Sequence, residues 1–171
     1  MKKVFKTIGW LLLIALAAIQ FFHPKKNIHE GDQLYALAKL HAVPEDVNVI
    51  LKKACNDCHS NNTVYPWYSK IQPVDWWLNN HVVDGKRHLN LDSLGAKPAW
   101  VRYHKLEDVI KEVKEGGMPI DSYTWTHKDA ILTQDEKAKL TGWAQGIMDE
   151  MKQTLPADSL KRPERPSIPK S

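Results

Sequence analysis

The two cysteines of this 171-residue chain stand three positions apart, in Ala54-Cys55-Asn56-Asp57-Cys58-His59-Ser60. On a helix, residues i and i+3 share a face and i+4 lies beside them. Cys55 and Cys58 at that spacing can reach the two vinyl groups along one edge of a porphyrin and form two thioethers. His59 follows directly and places a ring nitrogen under the iron. C-x-x-C-H is the attachment pattern of c-type haem, and Asn56 and Asp57 between the cysteines read as solvent-facing spacers. Three other chemistries compete. A C-x-x-C disulfide closes a very small loop and stabilises little. A thioredoxin-like redox pair needs a βαβ setting, for which strand signals are lacking. Structural zinc needs a fourth ligand, and there is no second cysteine pair to supply it.

A haem iron held by His59 has a second axial position. Met118, in Glu115-Gly116-Gly117-Met118-Pro119-Ile120, is the leading candidate. The two glycines let backbone approach a bulky ring, and a thioether suits a low-spin electron-transfer iron. A methionine used only as core filler sits more naturally on a helix face, as Met151 does. His81 is the alternative, as distal ligand or as a hydrogen-bond partner of a haem propionate; a histidine on an apolar helix stripe is otherwise an ordinary satisfied residue. His88 reads as a surface or propionate-facing residue. Tyr65, Trp67, Tyr68, Trp77 and Trp143 are candidate flat walls for a macrocycle, along with Trp76, Trp100, Tyr123 and Trp125, although an ordinary aromatic core would look the same.

Helical periods dominate the elements that must position these residues. Pro44 opens a helix whose stripe is Val47, Ile50, Leu51, Ala54, Cys55 and Cys58, ending near Ser60 to Asn62. A second is expected from Pro73, with Val74, Trp77, Leu78, His81 and Val82 on one face and Gly85 as its stop. A third carries Leu106, Val109, Ile110 and Val113 and stops at Gly116-Gly117. A fourth opens on Thr133-Gln134-Asp135-Glu136, a capping-box pattern, with Leu140, Trp143, Ala144, Ile147 and Met151 on its face. Residues 65–73, 86–104 and 118–132 read as loops. The expected fold is all-α: a small domain of about four helices with long aromatic loops around a haem.

The ends differ from the body. The sequence carries 24 basic and 20 acidic side chains, a formal net charge of +4. Nine of the 24 bases lie in residues 1–26 or from Ala157 onward, which leaves 15 bases against 18 acids between them. A slightly acidic body does not suit a nucleic-acid-binding face. At the N-terminus, Lys2, Lys3 and Lys6 precede the uncharged run Thr7 to Phe22, which reads as a transmembrane helix or a signal peptide. The run continues past Ala15-Leu16-Ala17, which favours an uncleaved anchor. The expected division is an anchor over 1–23, a juxtamembrane linker over 24–42, a haem-binding domain over 43–155, and a disordered, proline-rich basic tail over 156–171.

Two long stretches carry a family resemblance: "CNDCHSNNTVYPWYSKIQPVDWWLNNHVVDGKRHLN" and "GGMPIDSYTWTHKDAILTQDEKAKLTGWA". Together they resemble the bacterial haem-binding domain family, membrane-anchored and cytochrome-c-like, common in Bacteroidetes. The likeness covers about residues 24–152. It implies a cytochrome-c-like fold with one covalent haem c on Cys55 and Cys58, His59 proximal and Met118 distal. One departure is Leu94-Gly95, where relatives often have an aromatic residue.

The function expected on these grounds is single-electron transfer, a carrier rather than a catalyst. The chain is expected to be tethered to the bacterial inner membrane through its N-terminal helix, with the domain in the periplasm and a redox partner protein that the sequence does not name. The alternative is a peroxidase-like or gas-sensing haem module with an open or labile distal position.

Overall fold

The computed structural model describes residues 1–163. Among them are eight α-helices and no strand: α1 (Lys2–Ile19), α2 (Leu37–Leu40), α3 (Glu45–Ala54), α4 (Asn56–His59), α5 (Val74–His88), α6 (Ala99–Glu115), α7 (Asp121–Thr124) and α8 (Gln134–Thr154). The all-α expectation therefore holds for the described residues.

The pair α6 and α8 forms the spine. Leu106 and Val113 of α6 face Leu140, Ala144, Ile147, Met148 and Met151 of α8, all buried. This is the apolar stripe that the sequence spacing predicts. α3 completes the core with Val47, Ile50 and Leu51, packed with Val113, Leu132 and Leu140. The expected capping box is present: Thr133 Oγ1 accepts from the Glu136 amide at 3.2 Å, and the Glu136 carboxylate accepts from the Thr133 amide at 2.9 Å. α6 ends as expected at Gly116, whose φ of 78° is left-handed and free of cost for glycine.

The N-terminal anchor is a correction. None of the residues of α1 is buried, and no helix among the described residues is long and apolar enough to cross a membrane. Its uncharged part, residues 7–19, gives about 20 Å of helix at 1.5 Å per residue, against about 30 Å of hydrocarbon. The run is cut short because the folded body captures the chain at Gln20. The Gln20 amide group accepts from the Gln72 backbone N–H at 2.9 Å and donates to its carbonyl at 3.2 Å. The Phe22 carbonyl accepts from Gln72 Nε2 and Trp76 Nε1. A single-pass anchor, and the inner-membrane placement that depended on it, are not supported.

The linker expected over 24–42 is instead woven into the domain. Leu37 is 2% exposed and sits in the core with Leu94 and Met148. Its amide donates to the Leu91 carbonyl at 2.8 Å. Lys26 and His23 meet the carboxylate of Asp75, itself 1% exposed, each at 2.7 Å. Asn27 donates to Ser60 and Thr63. Gly95 lies close against this segment: its amide donates to the Tyr35 carbonyl, and a β-carbon there would lie 2.7 Å from that oxygen.

The tail expected from Pro156 is ordered at its start. Ala157–Leu160 forms a 3-10 turn, and Leu160 is buried against α6. Residues 164–171, the remainder of that expected tail, lie outside the described residues. α5 also departs from expectation, because Asp75 and Val82 are its buried side chains while Trp77 is exposed. Val82 keeps the expected stripe, whereas Asp75 is held by Lys26 and His23 of the preceding segment.

Candidate functional site

A cavity of about 570 Å³ lies between α4, α5, α6 and the Met118 loop. That is within the range of small-molecule and cofactor sites. Most of its wall is apolar, from Leu51, Leu89, Leu106, Val109, Val113 and Leu140. Cys55, Cys58, His59, His81, His88, Met118 and Trp143 also line it. Seven residues that the sequence singles out thus come to one place from four separate segments.

The cysteine segment is not a continuation of α3. Cys55 takes φ −129° and ψ −46°, which kinks the chain before α4. Tertiary hydrogen bonds hold the kinked turn. The Thr63 hydroxyl donates to the Asp57 carbonyl at 2.6 Å, and the Asp57 carboxylate accepts from the Val64 amide at 2.9 Å and from the Tyr123 hydroxyl at 2.8 Å. Asp57 is therefore not a solvent-facing spacer. Both cysteines are free and half-buried. Burial pushes the Cys55 thiol up to about 12 and the Cys58 thiol up to about 11, with the neighbouring Cys58 and Asp57 charges adding to the respective shifts. Each thiol keeps its proton at neutral pH.

Gly85 was expected to end α5, but the helix runs through it to His88. Its role is contact. A β-carbon at position 85 would lie 2.6 Å from the Cys58 carbonyl oxygen and 2.9 Å from the Cys58 β-carbon. The missing side chain lets α5 lie directly on the cysteine turn.

His59 is held at ring and backbone by one segment. Its Nδ1 is 3.0 Å from the Leu89 carbonyl, and the Leu91 amide donates to the His59 carbonyl at 2.8 Å. A carbonyl only accepts, so Nδ1 carries the proton and Nε2 keeps its lone pair. Burial lowers the imidazole's affinity for a proton below its ordinary value, while the carbonyls of Leu89 and Gly85 pull it partly back. The result is a neutral imidazole with a fixed tautomer, the form in which histidine ligates a metal.

Met118 is half-buried, on a loop tied at its start to α6: the amides of Gly117 and Met118 both donate to the Glu112 carbonyl, at 2.9 and 3.2 Å. His81 lines the same cavity, and its Nδ1 lies 2.8 Å from the Trp77 carbonyl. Trp143 Nε1 donates to the Ala42 carbonyl at 3.0 Å.

The other aromatic candidates fall elsewhere. Tyr65, Tyr68 and Trp77 line a neighbouring apolar cavity of about 390 Å³, which shares Asp57, Cys58, His81, Ile120 and Tyr123 with the first. Trp67 is 75% exposed and lines neither cavity. Sequence reasoning missed Asp57, Gly85 and Leu89 as site residues and gave Tyr123 only a generic aromatic role. Nothing in local periodicity marks a carbonyl or a missing side chain as a contact. Among the described residues no three His, Cys, Asp or Glu side chains cluster as metal ligands, so the zinc alternative gains no support.

The residues present fit a haem. The cavity has a mainly apolar wall, two adjacent protonated thiols, a neutral histidine with its lone pair at Nε2, and a thioether on a separate loop. No curated protein and no solved structure matches the chain. The model of a haem-binding domain family matches residues 14–146, a span that takes in the whole cavity and the 20–42 segment. The chain belongs to this haem-binding domain family.

Proposed function

We propose that the chain holds one haem c covalently through Cys55 and Cys58, with His59 and Met118 as axial ligands, and acts in single-electron transfer. The observation that carries this reading is the bracing of His59. Leu89 fixes the tautomer that leaves Nε2 as the donor atom, on the wall that also carries both thiols. When bound, the haem supplies a one-electron iron couple. The protein's part is to hold it. His59, through Nε2, and Met118, through its sulfur, would hold the iron. The apolar wall keeps water away, and a thioether ligand favours the reduced state. His88 and Lys105 line the cavity as candidate partners for the propionates.

Haem staining after denaturing electrophoresis tests covalency. The expected result is a signal from the parent chain that is lost when both Cys55 and Cys58 are changed to Ala. An unstained parent chain that still binds haem would overturn the covalent reading. Met118→Ala should abolish the weak absorption band of methionine–iron bonding and let carbon monoxide bind the ferrous protein.

A second reading is favoured by one observation. His81 lines the same cavity with Nδ1 engaged by the Trp77 carbonyl, so its Nε2 is also free to ligate. Loss of low-spin character in His81→Ala, with none in Met118→Ala, would assign the distal position to His81.

A further inference from the structure

Asp57 stands between the two cysteines, and both of its carboxylate oxygens are used. Oδ1 accepts from the Val64 amide at 2.9 Å, and Oδ2 accepts from the Tyr123 hydroxyl at 2.8 Å. The second contact spans 66 residues and joins the cysteine turn to the segment after Met118, and the same hydroxyl lies 3.3 Å from the Lys53 carbonyl, a longer contact. Tyr123 belongs to the one-turn helix α7, which begins directly after Met118-Pro119-Ile120. Its amide donates to the Ile120 carbonyl at 3.0 Å. The ring is braced by His127, stacked on it at 4.1 Å with 9° between planes. Burial, then the hydrogen bond and charge of Asp57, push the phenol well above its ordinary range. It therefore stays a neutral O–H donor facing a carboxylate, a charge-assisted bond of the stronger kind.

The Met118 loop is therefore pinned at two points. Its start hangs from the Glu112 carbonyl at the end of α6, with Gly116 in the left-handed region. Its end is fastened by Tyr123 to the turn that carries the cysteines. Further along, Thr126 meets the Tyr68 hydroxyl at 2.8 Å and Ala130 is fully buried, so the Asp57 bond is the contact that ties residues 117–122 to the cysteine turn and limits the freedom of Met118.

We propose that Asp57 and Tyr123 are positioning residues: their hydrogen bond fastens the Met118 loop to the haem-attachment turn and so holds the distal methionine in place. This inference rests on the assignment of Met118 as distal ligand. It makes the middle of the C-x-x-C-H motif a determinant of the opposite axial ligand.

The test uses the haem-loaded full chain. Tyr123→Phe keeps the ring and its stack on His127 but removes the donor. The methionine–iron band should weaken, and the affinity of the ferric protein for added imidazole, which competes with Met118, should rise about tenfold, the scale of one charge-assisted hydrogen bond. Haem staining after denaturing electrophoresis should be unchanged. Asp57→Asn keeps an acceptor but loses the charge, so it should shift imidazole affinity in the same direction by less. The double variant should add little to Tyr123→Phe, because both act through one bond. Unchanged band and imidazole affinity in Tyr123→Phe, in a protein where Met118→Ala abolishes the band, would overturn the proposal and leave the distal assignment standing. If Met118→Ala itself leaves the band and the ligand field as they were, the distal assignment fails and the latch falls with it. Should Tyr123→Phe not fold, the imidazole affinity of Asp57→Asn decides: a value equal to the parent's overturns the latch.

Discussion

The His59 wall and the Met118 wall of the cavity are built by opposite means. The His59 wall is a packed contact. α5 lies on the cysteine turn through Gly85, and residues 89–91 grip His59 by ring and backbone. The Met118 wall is a loop held at its ends, by the Glu112 carbonyl at one and by Asp57 at the other. Close packing tolerates little change in volume, whereas a loop pinned by a few hydrogen bonds opens at lower cost. The rigid wall carries the residues that would attach the haem, and the compliant wall carries the ligand that would set its axial field.

Four measurements test that contrast, from the largest expected effect to the smallest. Leu37→Ala removes a core side chain whose amide supports Leu91, which in turn holds the His59 carbonyl. Chemical denaturation should show a loss of about 2–5 kcal/mol; a loss below about 1 kcal/mol would mean that residues 20–42 are a dispensable strap after all. Gly85→Ala places a β-carbon against Cys58 backbone that has no room for it. We expect about 1–3 kcal/mol of destabilisation and a sharp fall in covalently stained protein, since the cysteine turn has to move. Gly116→Ala meets no neighbouring atom, but its φ of 78° is strained for any side chain. It should cost about 1 kcal/mol, weaken the methionine–iron band, and leave haem staining intact. If Gly85→Ala and Gly116→Ala affect staining equally, the two walls are not mechanically distinct.

The smallest effect is a pH dependence that should touch both walls alike. The Glu136 carboxyl is held below its ordinary value of 4.5, first by Lys53 and then by the Thr133 amide. Lys53 ends α3 beside the cysteine turn, and Glu136 opens α8. Because the folded value is the lower one, this stabilisation is fully present above pH 4.5 and is lost as pH falls through the folded value. Thermal melts should show Glu136→Gln lowering stability at pH 6 to 7 and flattening the acid-side slope. Both side chains are only partly exposed, so added salt should shrink the difference without removing it.

Much of the scaffold is legible in the sequence. The stripes of α3, α6 and α8 and the box at Thr133 and Glu136 are properties of residues within one or two turns of each other. The expectations that failed concern elements whose burial is not written in their own period. Thr7 to Phe22 reads as a membrane span by hydropathy, yet the helix stops at Ile19 because Gln20 and Phe22 are bound by Gln72 and Trp76. Residues 24–42 read as a linker because their anchors are isolated and follow no period: Lys26 on buried Asp75, Asn27 on Ser60, and the single core side chain Leu37, whose amide bonds the Leu91 carbonyl. Trp67 reads as a cofactor wall by type alone, yet it is 75% exposed and lines neither cavity.

The sequence by itself determined the chemistry available to the protein. It supplied two thiols and a histidine at haem-attachment spacing, a thioether in a Gly-Gly-Met-Pro loop, and the helices to carry them, because spacing and capping act over a few residues. Tertiary structure alone decided how that chemistry is held. The tautomer of His59 depends on a carbonyl 30 residues away, and the seating of the Met118 loop depends on a carboxylate 66 residues away from Tyr123. The contact at Gly85 depends on a side chain that is missing. Such bonds form only when separate segments have packed to within about 3 Å of each other, and no local pattern encodes that distance.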